Sequence, residues 1–373
     1  MVQAQAQSNF FRPTQARIDL RALKSNVSLA QSLLKGSGQL IPIVKANAYG
    51  HGSLEIALLL KEMGIASLGV ATVEEALILR QGGFDGRILI LGGPMEAPVE
   101  VLQDFALEPC LFEMASLEGL EKNLKKPLGV SIKVDTGMGR LGFWPEDLDL
   151  VLKKLKASSV LKLKSVFSHL ASAENPKSEA VLKQREVFEK VRKQVQKFFP
   201  SSPCFHLVNS AALMAGQMQD ADWARPGLML YGVAPERTLP RTQALEPVMS
   251  FTTKIFSLKK IPRGQAVSYG GTWVALRDSR VAILPVGYAD GYRRHLSNQG
   301  EVWIDGKLCP VVGRVCMDLT LVDVTDLKSA HLGQEVELWG KNLPVEKVAE
   351  QAGTIAYELL CGVGLRVPRV YTN

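Results

Sequence analysis

Lys45 closes the apolar run Leu40-Ile-Pro-Ile-Val-Lys45 and is followed by Ala46-Asn47-Ala48-Tyr49-Gly50-His51-Gly52. An amine at the end of an apolar strand sits where a low dielectric favours its neutral, nucleophilic form, the form that Schiff-base chemistry needs. The plainer alternative is a solvated surface lysine. A second cluster, Lys133-Val-Asp135-Thr-Gly137-Met-Gly139-Arg140-Leu-Gly142, contains a formal GxGxxG. It is a poor dinucleotide fingerprint, because Pro145 interrupts the helix that should follow and no acidic residue ends a strand about 20 positions on. Its other reading is a glycine-lined loop that presents Arg140, whose fork suits a carboxylate. His169, Asn209-Ser210, Arg225-Pro226-Gly227 and Tyr231-Gly232 stand at comparable strand ends, and Ser210 precedes a short helical stretch whose N–H groups could receive a phosphate. Further along, Ser268-Tyr269-Gly270, Gly287-Tyr288-Ala289-Asp290-Gly291 and Gly313-Arg314-Val315-Cys316-Met317-Asp318 set tyrosines, a thiol and a thioether in glycine-rich loops.

The elements that must position these groups fall into two series. From about residue 12 to 232, eight short apolar runs alternate with helix-period segments: 40–45, 66–71, 87–92, 106–112, 129–135, 164–169, 204–209 and 223–231. Val187, Phe188, Val191, Val195 and Phe198 trace one helical face. Strand–helix alternation implies parallel strands with right-handed crossovers, and eight units over about 220 residues fit a (β/α)8 TIM barrel. Chemistry then belongs at the C-terminal strand ends, where Lys45, Arg140, His169, Ser210 and Arg225 are expected. After about Leu245 the texture changes to strands at 248–258, 280–284, 301–304, 308–312, 319–324 and 335–339, with a helix at Val345–Gln351. The expected architecture is α/β: a barrel over residues 1–244, its first eleven or so residues packing with the second domain, and a smaller, mainly β domain over 245–373.

Composition narrows the class. The chain has 373 residues, 46% hydrophobic and 22% charged, with 32 Gly and 19 Pro, as expected of an ordinary globular protein rather than a disordered or fibrous one. The net charge of +7 is spread along the chain without an aromatic-interleaved basic patch, so no nucleic-acid partner is expected. No apolar run approaches the roughly 18 residues of a membrane span. The first 17 residues lack the charge and hydrophobic pattern of a secretory signal. Five cysteines without CxxC spacing suit a reduced, cytoplasmic protein, and no metal site is expected.

Taken together and in this order, the motifs at 44–52, 135–142, 209–210, 225–227, 268–270, 287–291 and 313–318, with Tyr357-Glu358-Leu359-Leu360-Cys361, resemble the alanine racemases, pyridoxal-5′-phosphate (PLP) enzymes built of a barrel and a β domain. The resemblance runs essentially end to end. It implies racemisation of L- and D-alanine by two bases: Lys45, which also carries PLP as a Schiff base, and Tyr269, reaching in from the other subunit of a homodimer. It further implies that Tyr49, Ser210, Gly227, Leu228 and Tyr357 hold the phosphate and that Arg225 faces the pyridine nitrogen. His169 would link Arg225 to Tyr269, and Arg140 with the Met317 backbone would hold the substrate carboxylate. Lys133 matches a lysine that is carboxylated in some members. Two opposed bases are what the reaction requires, since a proton leaves one face of the α-carbon and another arrives on the opposite face. Gln15 and Arg17 replace a commonly aromatic and a commonly acidic residue, and Ala171–Asn175 resembles an insertion near the entrance. A PLP decarboxylase is disfavoured because it would set an acidic residue against the ring nitrogen where this chain has Arg225. The residues after Ala244 argue against a non-catalytic PLP carrier, and a PLP-free aldolase would lack the yellow colour of the bound cofactor. The sequence does not distinguish a role in peptidoglycan supply from one in alanine catabolism.

Overall fold

The computed structural model describes residues 11–34, 38–201, 203–217 and 222–373. The chain divides into two compact units, one formed by Lys24–Leu245 and the other by the residues up to Leu23 together with Glu246–Asn373. The expectation for the first eleven residues falls mostly on residues 1–10, outside the described residues.

The first unit is a closed parallel barrel. Six strands, Ser67–Val70, Arg87–Ile90, Glu108–Leu111, Leu128–Lys133, Leu161–Phe167 and Cys204–His206, pair in sequence order. Trp223–Arg225 lies between Val208–Asn209 and Gln39–Leu40, and a parallel bridge from Ile43 to Gly69 closes the ring. Strands covered on both faces should be buried throughout, and Ser67–Val70 and Glu108–Leu111 are buried at every position, the polar Ser67 and Glu108 included. The longest helix, Glu179–Phe198, begins at Ser178, whose hydroxyl accepts from Val181 N, and buries Val181, Phe188, Val191 and Val195 at helical spacing. Its polar Gln184 is buried too: the amide donates to the His169 carbonyl and Thr136 Oγ1 and accepts from Ala171 N, fixing two loops at the barrel mouth.

The second unit is mainly β. Its six-stranded sheet runs Lys307–Pro310, Glu301–Ile304, Glu335–Trp339, Met249–Lys254, Gln15–Asp19, Arg369–Thr372. The strand Gln15–Asp19 thus fills the gap between Met249–Lys254 and Arg369–Thr372. The single run expected at 248–258 is two strands, since the chain leaves this sheet after Lys254 and re-enters pairing at Ser257–Ile261, against Ser279–Leu284. The helix Val345–Gln351 is present, and a second, Ala356–Cys361, follows it. Asp290 is fully buried; burial alone would raise its carboxyl, but hydrogen bonds from Arg12, Arg366 and Gly287 N hold it below the usual range.

Candidate active site

At the mouth of the barrel, Val44 leads into Lys45, which is exposed. The residues after it take an uncommon path. Ala46, Asn47, Ala48 and Tyr49 all have φ between 51° and 54°, one turn of left-handed helix made without glycine. Such residues cost roughly 1–2 kcal/mol each, so the turn must be held by its surroundings. Glu75 accepts from Ala46 N at 2.6 Å and from Ala71 N at 2.7 Å, and Asn47 Oδ1 accepts from Ser53 N at 2.8 Å. The buried His51 ring places Nδ1 2.9 Å from the Tyr49 carbonyl and packs on Tyr231, whose hydroxyl donates to the Ile43 carbonyl.

This turn delivers Tyr49 to Gly227. A Cβ placed on Gly227 would meet the Tyr49 hydroxyl at 2.5 Å, and Gly227 N donates to Ser210 Oγ at 2.8 Å. Two hydroxyls and a bare backbone therefore meet next to Leu228, which is buried. Ser210 opens the helix Ser210–Met214, capped by Asn209, whose side chain accepts from Ala212 N.

Arg225 is buried beside this cradle's strand. Its Nη1 donates to His206 Nδ1 at 2.5 Å and to the His206 carbonyl at 2.7 Å, and its Nη2 donates to the Ser168 carbonyl at 2.5 Å. The guanidinium also covers the Phe167 ring. Burial pushes it down to about 9, so it remains a cation at neutral pH. The imidazole bonded to Arg225 is thus that of His206, a residue the motifs did not single out. The available signal was a histidine interrupting the apolar run 204–209. His169 is pushed down to about 3, first by burial and then by Arg225, Arg140, Lys133 and Lys45, so it is neutral in a ring of cations. Arg225, Arg140, Lys133 and Lys45 thus all lie within electrostatic reach of His169.

The glycine loop does not bind like a dinucleotide fingerprint. Asp135 accepts from the backbone N–H groups of Gly137, Met138 and Arg140, and Phe143 bridges back to Val134. Burial works against the charged form of Asp135, yet these hydrogen bonds hold it below the usual carboxylate range. The loop leaves Arg140 exposed above a buried Lys133, whose ammonium is disfavoured first by burial and then by Arg140.

In the β unit, the hairpin Ala266–Val267/Trp273–Val274 carries Tyr269 at its tip. Val267 is anchored in a core with Ile261, Ala275, Val281 and Val312, and Ser268 Oγ donates to the Arg314 carbonyl at 2.7 Å. Tyr269 itself is 71% exposed. Met317 is exposed on a neighbouring loop, held where Ala289 N donates to its carbonyl. Gly287 is required there, because a Cβ would meet the Cys316 carbonyl at 2.2 Å. Tyr357 lies at the start of Ala356–Cys361, at the edge of exposure. Among the described residues, no group of three or more His, Cys, Asp or Glu side chains is arranged to hold a metal, and no helix is long and apolar enough to cross a membrane.

Comparison with known proteins gives one consistent result. Residues 18–235 match the family model "Alanine racemase, N-terminal domain" and residues 248–371 match "Alanine racemase, C-terminal domain". The alanine racemase of Halothermothrix orenii is 39% identical over 369 residues, covering 97% of both chains. The catabolic alanine racemase of Pseudomonas aeruginosa is 38% identical, covering 97% of this chain and 99% of its own. Among solved structures, the biosynthetic alanine racemase from Pseudomonas aeruginosa superposes with a TM-score of 0.87 at 35% identity, over 97% of this chain and 100% of that one. The alanine racemase from D-cycloserine-producing Streptomyces lavendulae superposes with a TM-score of 0.92 at 32% identity, over 98% of each.

Proposed function

The chain belongs to the alanine racemase family, and from that premise we propose that it interconverts L- and D-alanine with PLP, using Lys45 and Tyr269 as opposed bases. The observation that carries this reading is the convergence at one barrel end of an exposed amine, a bare-backbone cradle with two hydroxyls and a buried guanidinium. The residues fit the cofactor. Tyr49, Ser210, Gly227 and Leu228 offer hydroxyls and N–H groups to a phosphate where a side chain on Gly227 would block it, and Tyr357 completes that set. Both hydrogens of Arg225 Nη1 go to His206 and one of Nη2 goes to Ser168, which leaves Nε–H and one Nη2–H for the pyridine nitrogen.

When bound, PLP supplies the electron sink that acidifies the substrate α-carbon. Lys45 anchors it and moves a proton at Nζ on one face. Tyr269, contributed by a second copy of the chain, does so at its hydroxyl on the other. Arg140 and the Met317 N–H hold the substrate carboxylate between them. His169, acted on by the Arg225 charge and neutral, can both donate and accept and is the imidazole that meets Tyr269. A guanidinium only donates, so Arg225 leaves the ring nitrogen unprotonated, which weakens the sink and disfavours decarboxylation and transamination. Lys45 is exposed in the single chain, so the desolvation expected of it comes from the cofactor and the second subunit covering the mouth. Lys133, with its ammonium disfavoured, is suited to attack CO2 as a free amine, release a proton and pair as a carbamate with Arg140. Because enantiomers have equal free energy, the same site serves D-alanine supply for peptidoglycan or alanine catabolism, as the cell's fluxes dictate.

The test is a panel of enantiopure amino acids assayed for inversion before and after PLP removal. Alanine is expected to invert fastest, to stop when PLP is removed and to resume when it is restored. Absence of alanine inversion in the reconstituted protein contradicts the proposal.

A further inference from the structure

Beneath the mouth, the barrel interior carries a line of polar side chains that the proposed chemistry does not use. Polar groups buried in an apolar interior are destabilising unless hydrogen-bonded, and here they are bonded to one another. Glu108, at the first position of its strand, receives Arg87 Nε and Nη2, both at 2.6 Å. Its Oε1 is also bonded to the Ser131 hydroxyl, and Ser131 to Ser165. Ser165 Oγ lies 3.0 Å from Arg87 Nη2 and 2.9 Å from His206 Nε2, and His206 Nδ1 meets Arg225. Ser131, Ser165 and His206 are wholly buried and Glu108 nearly so.

Both ends of the line fix its direction. A guanidinium only donates, so His206 Nδ1 accepts from Arg225 and the neutral ring carries its proton on Nε2. That proton goes to Ser165 Oγ. Ser165 also accepts from Arg87, so its own hydrogen goes to Ser131, and the Ser131 hydrogen goes to the carboxylate, which only accepts. Every proton therefore points from Arg225 towards Glu108. In the reverse order, Ser165 would donate to His206 Nε2, moving the ring proton to Nδ1, where it would oppose the Arg225 N–H.

We propose that Glu108 is a positioning residue for Arg225, imposing through Ser131, Ser165 and His206 the proton order that keeps His206 Nδ1 open as an acceptor. Its consequence for turnover rests on the reading that Arg225 faces the pyridine nitrogen; the positioning itself is a property of the chain alone. It predicts the ring's tautomer, which is read by NMR of the full-length protein labelled with 15N-histidine, with and without PLP. The wild-type His206 shows the Nε2–H tautomer in both. Ser131→Ala leaves the Ser165 hydrogen no acceptor but His206 Nε2, which competes with Arg225 for the ring, so the Nδ1–H tautomer, which costs the Arg225–Nδ1 bond, becomes populated beside the Nε2–H one. With PLP bound, the cofactor absorbance band shifts and kcat falls about two- to tenfold, the worth of one hydrogen bond, with KM changed less. Ser131→Thr, which keeps the hydroxyl, restores tautomer, spectrum and rate. An unchanged Nε2–H tautomer in folded Ser131→Ala and Glu108→Ala overturns the proposal. Arg225→Lys separates the two readings: wild-type kcat and absorbance in that variant overturn the role given to Arg225, while the tautomer result still decides the relay.

Discussion

Tyr269 and His206 show how differently single residues carry this site. Tyr269 is solvent-exposed at a hairpin tip, which is wasteful for a large aromatic unless another surface uses it. On the proposed two-base reading, loss of one base leaves one face of the α-carbon still exchanging its proton. Tyr269→Phe is therefore expected to lower racemisation by about 10²- to 10⁴-fold while exchange of the α-hydrogen with deuterated solvent persists for one enantiomer, as mass spectrometry of recovered alanine would show. Undiminished racemisation would remove Tyr269 from the chemistry. His206 works from complete burial. Burial first, then Arg225 and Arg87, hold its ring well below the usual histidine range, and His169 is pushed down to about 3. Both are neutral when folded but take up a proton near pH 6.5 when unfolded. The unfolded chain thus binds more protons below that pH, and stability falls as pH drops. Asp135 and Asp290, held below the usual carboxylate range, contribute losses only at lower pH. Urea unfolding between pH 6.5 and 5 should lose about 1.1 kcal/mol per pH unit on average for His206 alone; a flat profile would contradict its burial as a neutral ring.

At the scale of elements, the strands were legible and the turn after the first was not. Eight apolar runs of the right length and spacing identify the barrel, and the residues at their C-terminal ends identify the mouth. Alanine, however, is the strongest former of right-handed helix, so Ala46–Tyr49 carries no local sign of the left-handed turn it adopts. The sign is distant: the Glu75 side chain satisfies the Ala46 N–H that the turn leaves over. Likewise the run at 248–258 gives no local sign that the chain changes sheets after Lys254, since both halves have strand composition. Arg225 stood out by its motif, but the line from Glu108 to His206 did not, because its members come from four strands and meet only in the closed barrel. The turn makes a prediction of its own. Ala46→Gly is expected to be neutral or stabilising by up to about 1–2 kcal/mol, because glycine adopts this conformation freely. Ala48→Val, β-branched and fully buried, should destabilise by more than that and weaken PLP binding. Denaturant melts and cofactor titration would show it; a tolerated valine would mean the turn relaxes at little cost.

At the scale of the molecule, the barrel unit presents Lys45, Arg140 and the cradle of Tyr49, Ser210 and Gly227, whereas Tyr269 and Met317 are exposed on the β unit. A two-fold pair of chains is the simplest closed arrangement that gives each cradle a tyrosine from its twin. In such a pair, a Lys45→Ala subunit and a Tyr269→Ala subunit are each inactive as homodimers. A mixed dimer regains one intact site, built from the lysine of one chain and the tyrosine of the other. Random exchange of an equal mixture makes half the dimers mixed, each with one of two sites working. Racemase activity of the two inactive variants after subunit exchange is the most direct measurement. Opposed bases from two chains predict recovery to about a quarter of the wild-type rate, and no recovery in verified mixed dimers would contradict them.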